Sequence, residues 1–140
     1  EIPLASDHYG HIGLNSCIRL AKAVEKYQIA WMEDMVPWQF TDMLREIKES
    51  IDIPLCTGED IYLKEEFQKL VDARAVDVIH PDLASSGGLL ETKKIGDLAM
   101  EGGVSMALHY AGSPVGFLAS VHCAAATQNF LCLEHHGVDV

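Results

Sequence analysis

Ionisable residues end six short apolar stretches of this chain at nearly constant spacing. The first three are acids, Asp7, Glu33 and Glu59, and 26 residues separate each from the next. A strand, a loop and a helix together occupy about that length, so we interpret the acids as one position in a repeated βα unit. If the strands are parallel neighbours, the three carboxylates emerge at one end of the sheet. Such like charges raise one another's pKa unless something neutralises them, and a divalent cation with oxygen ligands is the simplest solution.

Apolar runs and turn residues divide the chain into alternating strands and helices. The sequence predicts six strands, over 2–7, 29–33, 54–59, 75–80, 104–109 and 130–134. It predicts five intervening helices, from Asn15 or Ser16 to about Tyr27, from Thr41 or Asp42 to Ser50, and over 64–74, 89–101 and 114–127. Strict alternation of this kind predicts a parallel sheet with helices outside it.

The later strand ends continue the series with Asp82, His109 and Glu134. In a (β/α)₈ barrel the active site lies at this carboxyl face of the strands. An open doubly wound sheet is the alternative fold, but the sequence contains no GxGxxG or P-loop for a nucleotide. Six strands are two short of a closed barrel. We therefore expect residues 1–140 to be a partial barrel domain, with the missing part before residue 1.

Composition limits the partners and the compartment. The net charge of −11 argues against nucleic acid or an anionic membrane as partner. No apolar run approaches the ~18 residues of a membrane span. The four cysteines form no CxxC pair, and we interpret them as reduced core residues of a cytoplasmic protein: Cys17, Cys56, Cys123 and Cys132.

A family resemblance extends over the whole chain. It rests on the three acids, on the later Asp82–His109 pair and on the stretches 7–11 and 122–127. The sequence resembles the C-terminal barrel part of the enolase superfamily, in the mandelate racemase and muconate lactonizing enzyme family. Within that family it is most similar to acid-sugar dehydratases of the galactarate type. The resemblance implies strands 3–8 of a (β/α)₇β barrel. It also implies that the first two strands and an N-terminal capping domain are absent from this chain.

The resemblance assigns roles to the strand-end residues. It implies one Mg²⁺ held by Asp7, Glu33 and Glu59, and an Asp82–His109 dyad. Glu134 matches an acid near the substrate carboxylate or its leaving oxygen. The family's second acid/base group would lie on the absent strands. The resemblance also suggests a homo-oligomer, although no residue of the sequence identifies an interface.

These residues suit removal of the proton α to a carboxylate. Mg²⁺ stabilises the negative charge that develops, and a histidine with a pKa near 6.5 can exchange the proton at neutral pH. Asp82 would fix the tautomer of His109 and raise its basicity. We predict β-elimination of water from an acid sugar. A racemase, an epimerase, a lactonizing enzyme and an inactive fragment that only binds metal remain alternatives.

Loop residues complete the candidate site. His8, His11, Trp38 and Tyr110 are candidate contacts to a small carboxylate substrate. Support of the metal ligands is the alternative role for the two histidines, and packing is the favoured role for Trp38 and Tyr110. Ser85-Ser86-Gly87-Gly88 suits either an anion site at a helix start or a tight βα turn. Asp60 is a candidate hydrogen-bond partner for the dyad or for a neighbouring loop.

Overall fold

The computed structural model of the chain describes residues 2–136. Within that part, the strands are β1 (Ser6–Asp7), β2 (Met32–Glu33), β3 (Leu55–Thr57), β4 (Val78–Ile79), β5 (Ser105–Leu108) and β6 (Phe130–Leu133). The helices are α1 (Leu14–Val24), α2 (Thr41–Ser50), α3 (Leu63–Asp72), α4 (Leu83–Ser86), α5 (Leu89–Glu101) and α6 (Pro114–Ala125). One turn of 3₁₀ helix, Glu25–Tyr27, continues α1.

The six strands form one parallel sheet in the order β1-β2-β3-β4-β5-β6, and every connection between neighbours contains a helix. Residues from both edge strands nevertheless line the same cavities. Ala5, next to β1, and Cys132 of β6 meet in this way. The sheet therefore curls, so that its two edges approach each other around a common interior. This confirms the predicted six parallel strands of a (β/α) barrel and excludes the open doubly wound sheet.

Three local predictions were wrong. Helix α1 begins at Leu14 with Gly13 as its N-cap, so neither Asn15 nor Ser16 caps it. Strand β3 ends at Thr57, which places Glu59 in the following turn rather than at the strand end. The sequence prediction also missed α4, a single helical turn whose N-cap is Asp82. Only four residues form α4, too few for an apolar period to be detected in the sequence.

Apolar side chains pack on both sides of the sheet. The large outer core lies between strands and helices, where α3 contributes Phe67, Leu70 and Val71. Burying each such side chain contributes about 1.5–3 kcal/mol. A second, small cluster fills the curl of the sheet. It consists of Cys56, Val78 and Ala107, with Trp31 and Cys132 packed against them.

Alternation along the strands positions the site above this inner cluster. Successive residues of a strand point to opposite faces, so a residue two positions after an inward-facing one also points inward. Glu33 follows Trp31 in this way, His80 follows Val78, and His109 follows Ala107. The inner apolar cluster thus supports a layer of ionisable groups at the carboxyl ends of the strands.

No helix within residues 2–136 combines the length and the apolar character needed to cross a bilayer.

Candidate active site

A cavity of about 290 Å³ opens at the carboxyl end of the strands. Ionisable residues of four strands or strand ends line it: Asp7, Glu33, His80 and Glu134. Asp7 and Glu33 are direct neighbours in the register of β1 and β2. The sheet therefore brings together three of the six predicted strand-end groups and adds one histidine that the sequence did not single out.

His109 lies beside this cavity and contacts three acids. Its Nδ1 donates to Asp82 Oδ2 at 2.8 Å, and its Nε2 lies 3.2 Å from Glu59 Oε2 and 3.5 Å from Glu134 Oε2. The backbone N–H of His109 also donates to the carbonyl of Pro81, which keeps the two strand ends together. The predicted Asp82–His109 contact is thus present in the structure. One ring nitrogen is held by Asp82, and the other is directed at the acids around the cavity.

Charge decides the protonation state of this pair. Burial alone lowers the pKa of His109, but the hydrogen bond to Asp82 and the charges of Glu59 and Glu134 outweigh it and raise the pKa to about 9. Burial raises the pKa of Asp82, yet hydrogen bonds from His109 and from the Ala84 N–H leave it below its ordinary value. Without a metal ion, the pair is therefore an imidazolium next to a carboxylate at neutral pH.

His80 is the residue that the sequence prediction missed. Its Nδ1 is hydrogen-bonded to Glu33 Oε1, its Nε2 lies 3.8 Å from Glu134 Oε2, and its ring packs edge-on against His109. Only 4% of the residue is exposed. We interpreted His80 simply as the last residue of an apolar strand. The available signal was its position two residues before Asp82, which indicates that both side chains face the interior.

Glu33 is held from two sides. Besides His80, the indole Nε1 of Trp31 donates to Glu33 Oε2 at 2.9 Å. Burial raises the pKa of Glu33, but the hydrogen bond and charge of His80 more than offset this effect and lower the pKa. Glu33 is therefore an ionised carboxylate in a buried position.

The crowding of carboxylates fits a bound divalent cation. Burial raises the pKa of Glu59, His109 lowers it, and the charges of Asp7 and Glu33 raise it further, so that the net shift is upward. Burial also raises the pKa of Asp34 to about 7, despite a 2.5 Å hydrogen bond from Thr57, and the neighbouring acids add to the shift. A cation bound to carboxylate oxygens relieves this repulsion, and such oxygens are ligands that Mg²⁺ prefers.

The three predicted metal ligands lie at one edge of the sheet without forming the tightest group there. Among residues 2–136, a group of three potential metal ligands consists of Glu33, Cys56 and His80. Their ligand atoms all lie within 4.8 Å of one another. Asp7 and Glu59 are outside this group. Asp7 instead accepts a hydrogen bond from the Tyr9 N–H at 3.0 Å, and Glu59 pairs with His109. The metal set Asp7, Glu33 and Glu59 stays a prediction.

The candidate substrate contacts lie in four different environments. His8 is half-buried and hydrogen-bonded to Ser6 Oγ at 3.1 Å, whereas His11 is exposed. Trp38 lines a separate cavity of about 320 Å³ together with Asp34, Asp60 and Tyr62. Tyr110 is buried, packs on Phe117 and donates its hydroxyl to the Ser113 carbonyl. The main cavity thus brings together none of these four residues, and their role in binding substrate stays a prediction.

Two neighbouring segments have clear local roles. Asp82 accepts hydrogen bonds from the N–H groups of Ala84 and Ser85 at the start of α4, and Ser85 donates to the Glu59 carbonyl. This last bond ties the turn after β3 to the turn after β4. Positive φ angles at Gly87 and Gly88 then reverse the chain between α4 and α5. The structure thus provides a tight-turn role for the two glycines.

Glu134 lies within reach of the dyad. Its backbone N–H donates to the Leu108 carbonyl, which places its side chain next to His109, and its Oε1 contacts His136 Nε2 at 2.7 Å. The backbone N–H of Tyr110 donates to its other oxygen, at 3.4 Å. Glu134 is thus the acid that connects β6 to the Asp82–His109 pair.

Comparison with known proteins identifies similar sequences and structures. The family model described as "Enolase C-terminal domain-like" matches residues 1–140. D-xylonate dehydratase from Haloferax volcanii is 40% identical over 129 residues, which are 92% of this chain and 31% of that protein. A mandelate racemase/muconate lactonizing enzyme-like protein from Rubrobacter xylanophilus is 39% identical with a TM-score of 0.96, over 99% of this chain and 35% of that one.

An enolase from Agrobacterium radiobacter, solved with bound Na and L-malate, is also similar. It is 31% identical, with a TM-score of 0.87, over 92% of this chain and 33% of that one. The present chain spans about a third of the length of each of these three proteins.

Proposed function

Because the chain belongs to the enolase C-terminal domain-like family, we propose that it is the barrel part of a Mg²⁺-dependent dehydratase of acid sugars. The similarity to a protein named D-xylonate dehydratase supports this choice of reaction. The observation that carries the proposal is the position of His109. Its Nε2 lies 3.2 Å from Glu59, a predicted metal ligand, while Asp82 holds its Nδ1. A proton-transfer group thus lies directly beside the proposed metal.

In this proposal, Asp7, Glu33 and Glu59 hold the ion. When bound, Mg²⁺ supplies a positive charge that stabilises the negative charge developing on the substrate carboxylate as its α-proton leaves. Trp31 and His80 orient Glu33 by hydrogen bonds to its two oxygens. Such supporting contacts fix the direction of a metal ligand.

His109 exchanges protons with the substrate through Nε2. In its charged form it can protonate a departing β-hydroxyl, and in its neutral form it can accept the α-proton. Asp82 keeps the proton on Nδ1 in both cases and stabilises the imidazolium. Glu134, 3.5 Å from the same Nε2, is positioned to contact the substrate's polar groups. A complete reaction also needs an acid or base on the opposite face of the substrate, which we assign to the absent strands.

Solvent-deuterium exchange with product analysis tests the reaction. The full-length protein that contains this chain, with the strands that supply the second acid or base, is purified and incubated with Mg²⁺ in D₂O with D-xylonate and, separately, galactarate. We expect a keto-acid product that has lost one water. Exchange of the α-proton with all hydroxyl groups retained would instead indicate a racemase or epimerase.

Two variants connect this readout to the site. His109→Asn should abolish both dehydration and exchange. His122→Asn, a change of an exposed histidine on α6, should leave both unchanged. Calorimetric Mg²⁺ binding without exchange or dehydration of either compound would support the alternative of an inactive fragment that binds metal only.

The state of the cysteines bears on the compartment of the protein. All four cysteines are free, and Cys17, Cys56 and Cys123 are buried, as expected for reduced core thiols. This supports the proposal of a cytoplasmic protein. The net charge of −11 supports the proposal of no nucleic-acid or membrane partner, and the similarity to a protein named D-xylonate dehydratase supports a small-molecule carboxylate as substrate. Assembly into a homo-oligomer stays a prediction, which sedimentation analysis can test.

A further inference from the structure

Within residues 2–136, three buried metal-ligating side chains lie close together next to the proposed Mg²⁺ site. Glu33 of β2, Cys56 of β3 and His80 at the end of β4 come from three adjacent strands. Their ligand atoms all lie within 4.8 Å of one another, and each residue is buried, with exposures of 6%, 1% and 4%. Cys56 points into the curl of the sheet with Val78, which precedes His80 by two positions. The fold therefore fixes all three groups on rigid strands.

The ligand types differ from those of the Mg²⁺ site. A thiolate, an imidazole and a carboxylate together are a set that Zn²⁺ binds, whereas Mg²⁺ takes oxygen ligands and keeps several waters. Bonds of about 2.0–2.3 Å in a tetrahedral site place ligand atoms roughly 3.5 Å apart. No two of the three atoms therefore have to shift relative to each other by much more than about 1 Å, and the hydrogen bond between His80 and Glu33 gives way to the bonds to the ion.

The cavity provides access and a fourth ligand position. Glu33 and His80 form part of its wall, and Cys132 of β6 lines it as well. The Cys132 thiol is half-buried and packs with Cys56 in the inner cluster. The fourth position around a bound ion is thus open either to Cys132 or to solvent. Burial raises the pKa of Cys56, so binding of an ion has to displace the thiol proton into solvent.

We propose that Glu33, Cys56 and His80 form a second metal site that selects a thiophilic divalent cation such as Zn²⁺. This site shares Glu33 with the proposed Mg²⁺ site, and only that sharing rests on the proposed function. Two divalent cations that share one carboxylate repel each other, so a Zn²⁺ ion bound by Glu33, Cys56 and His80 weakens Mg²⁺ binding at the site above it. By linkage, Mg²⁺ weakens Zn²⁺ binding by the same factor. Zn²⁺ is then an inhibitor that acts from below the substrate position.

Cobalt spectroscopy tests the site without any activity measurement. The protein, freed of metal, is titrated with Co²⁺, which gives intense near-ultraviolet thiolate-to-metal absorption when a cysteine is a ligand. We expect this band to saturate at one ion per chain. Cys56→Ser should remove the band and weaken Co²⁺ binding by at least about 100-fold, the upper end of what loss of an outer partner of a metal ligand costs. Cys123→Ser is the matched control, since Cys123 is equally buried but belongs to the outer core.

A second measurement needs no variant. The X-ray absorption spectrum of the wild-type protein with one equivalent of Zn²⁺ should contain sulfur scattering at about 2.3 Å. Comparison with Cys132→Ser shows whether one sulfur or two contribute. A spectrum with only nitrogen and oxygen neighbours, or a Co²⁺ band that Cys56→Ser leaves intact, would overturn the proposal. Since neither experiment measures dehydration, the second site and the proposed reaction can fail independently.

Discussion

Replacing Asp82 by Asn tests the electrostatics of the dyad most directly. The two oxygens of Asp82 have separate tasks. Oδ1 accepts the Ala84 N–H at 2.7 Å as the N-cap of α4, and Oδ2 accepts His109 Nδ1 at 2.8 Å. Asn is as good an N-cap as Asp, so the helical turn should remain. The substitution therefore keeps the cap, removes the charge next to His109 and replaces the oxygen that accepts from Nδ1 by an NH₂ donor, and both of these changes disfavour the imidazolium.

The expected effect is a lower pKa for His109. Asp82 provides the strongest of the interactions that raise this pKa to about 9, and the charges of Glu59 and Glu134 remain in the variant. Loss of one adjacent opposite charge lowers a histidine pKa by roughly 1–2 units. In Asp82→Asn we therefore expect His109 to titrate closer to neutrality.

The same shift predicts a change in stability with pH. Because the pKa of His109 is raised from 6.5 to about 9 in the folded chain, its contribution is fully present below 6.5 and is lost as the pH rises through 9. At about 1.4 kcal/mol per pKa unit, that contribution is roughly 3 kcal/mol. Asp82→Asn should remove roughly 1–3 kcal/mol of it at the acid end of this window and nothing above pH 9.

Two measurements on the metal-free protein check this reasoning. NMR titration of the imidazole resonances gives the pKa of His109, and urea unfolding at both ends of the pH window gives the stability difference. Asp97→Asn is the control, because Asp97 is a half-buried acid paired with Lys93 on α5, away from the site. If the pKa of His109 moves no more in Asp82→Asn than in the control, the assignment of Asp82 as the main stabilising partner is refuted.

Three further substitutions test the surroundings of the site. Asp34→Asn should stabilise the metal-free chain above pH 7 by up to about 4 kcal/mol in thermal unfolding. The pKa of Asp34 is raised from 3.8 to about 7 in the folded chain, so ionisation of this carboxyl destabilises the fold as the pH rises through that interval, whereas Asn does not titrate. An unchanged unfolding midpoint would contradict this. Phe67→Ala should cost about 3–5 kcal/mol in urea unfolding because Phe67 is fully buried, whereas Tyr27→Ala at an exposed position should cost less than about 0.5 kcal/mol. Gly58→Ala should destabilise by about 1–3 kcal/mol, because φ is +150° and a Cβ would lie 2.8 Å from the backbone of the next strand. Gly13→Ala, with nothing within 4 Å, is its control and should cost less, up to about 1 kcal/mol in the same assay, because Ala is a poorer N-cap for α1 than Gly.

The element order and the position of the site were predictable because they depend on local chemistry. Apolar runs separated by glycine and proline residues correctly predicted the six strands and five of the six helices of residues 2–136. The regular spacing of ionisable residues correctly placed Glu33 and His109 at the carboxyl ends of the strands. The boundaries were less accurate. The first strand was predicted over 2–7, but only Ser6–Asp7 forms ladder contacts, since pairing depends on a neighbouring strand as well as on propensity.

The sequence by itself determined which ionisable groups the strands bring to one end of the sheet. Acids and a histidine recur at the period of a βα unit, and alternation along each strand directs them to one interior. Only the tertiary structure decided which of them touch. Glu59 lies in the turn after β3, where it contacts His109, and Glu33 is hydrogen-bonded to His80 and lies near Cys56. Those contacts depend on how the sheet curls, which follows from the packing of all six strands and is not encoded in the spacing of any one pair.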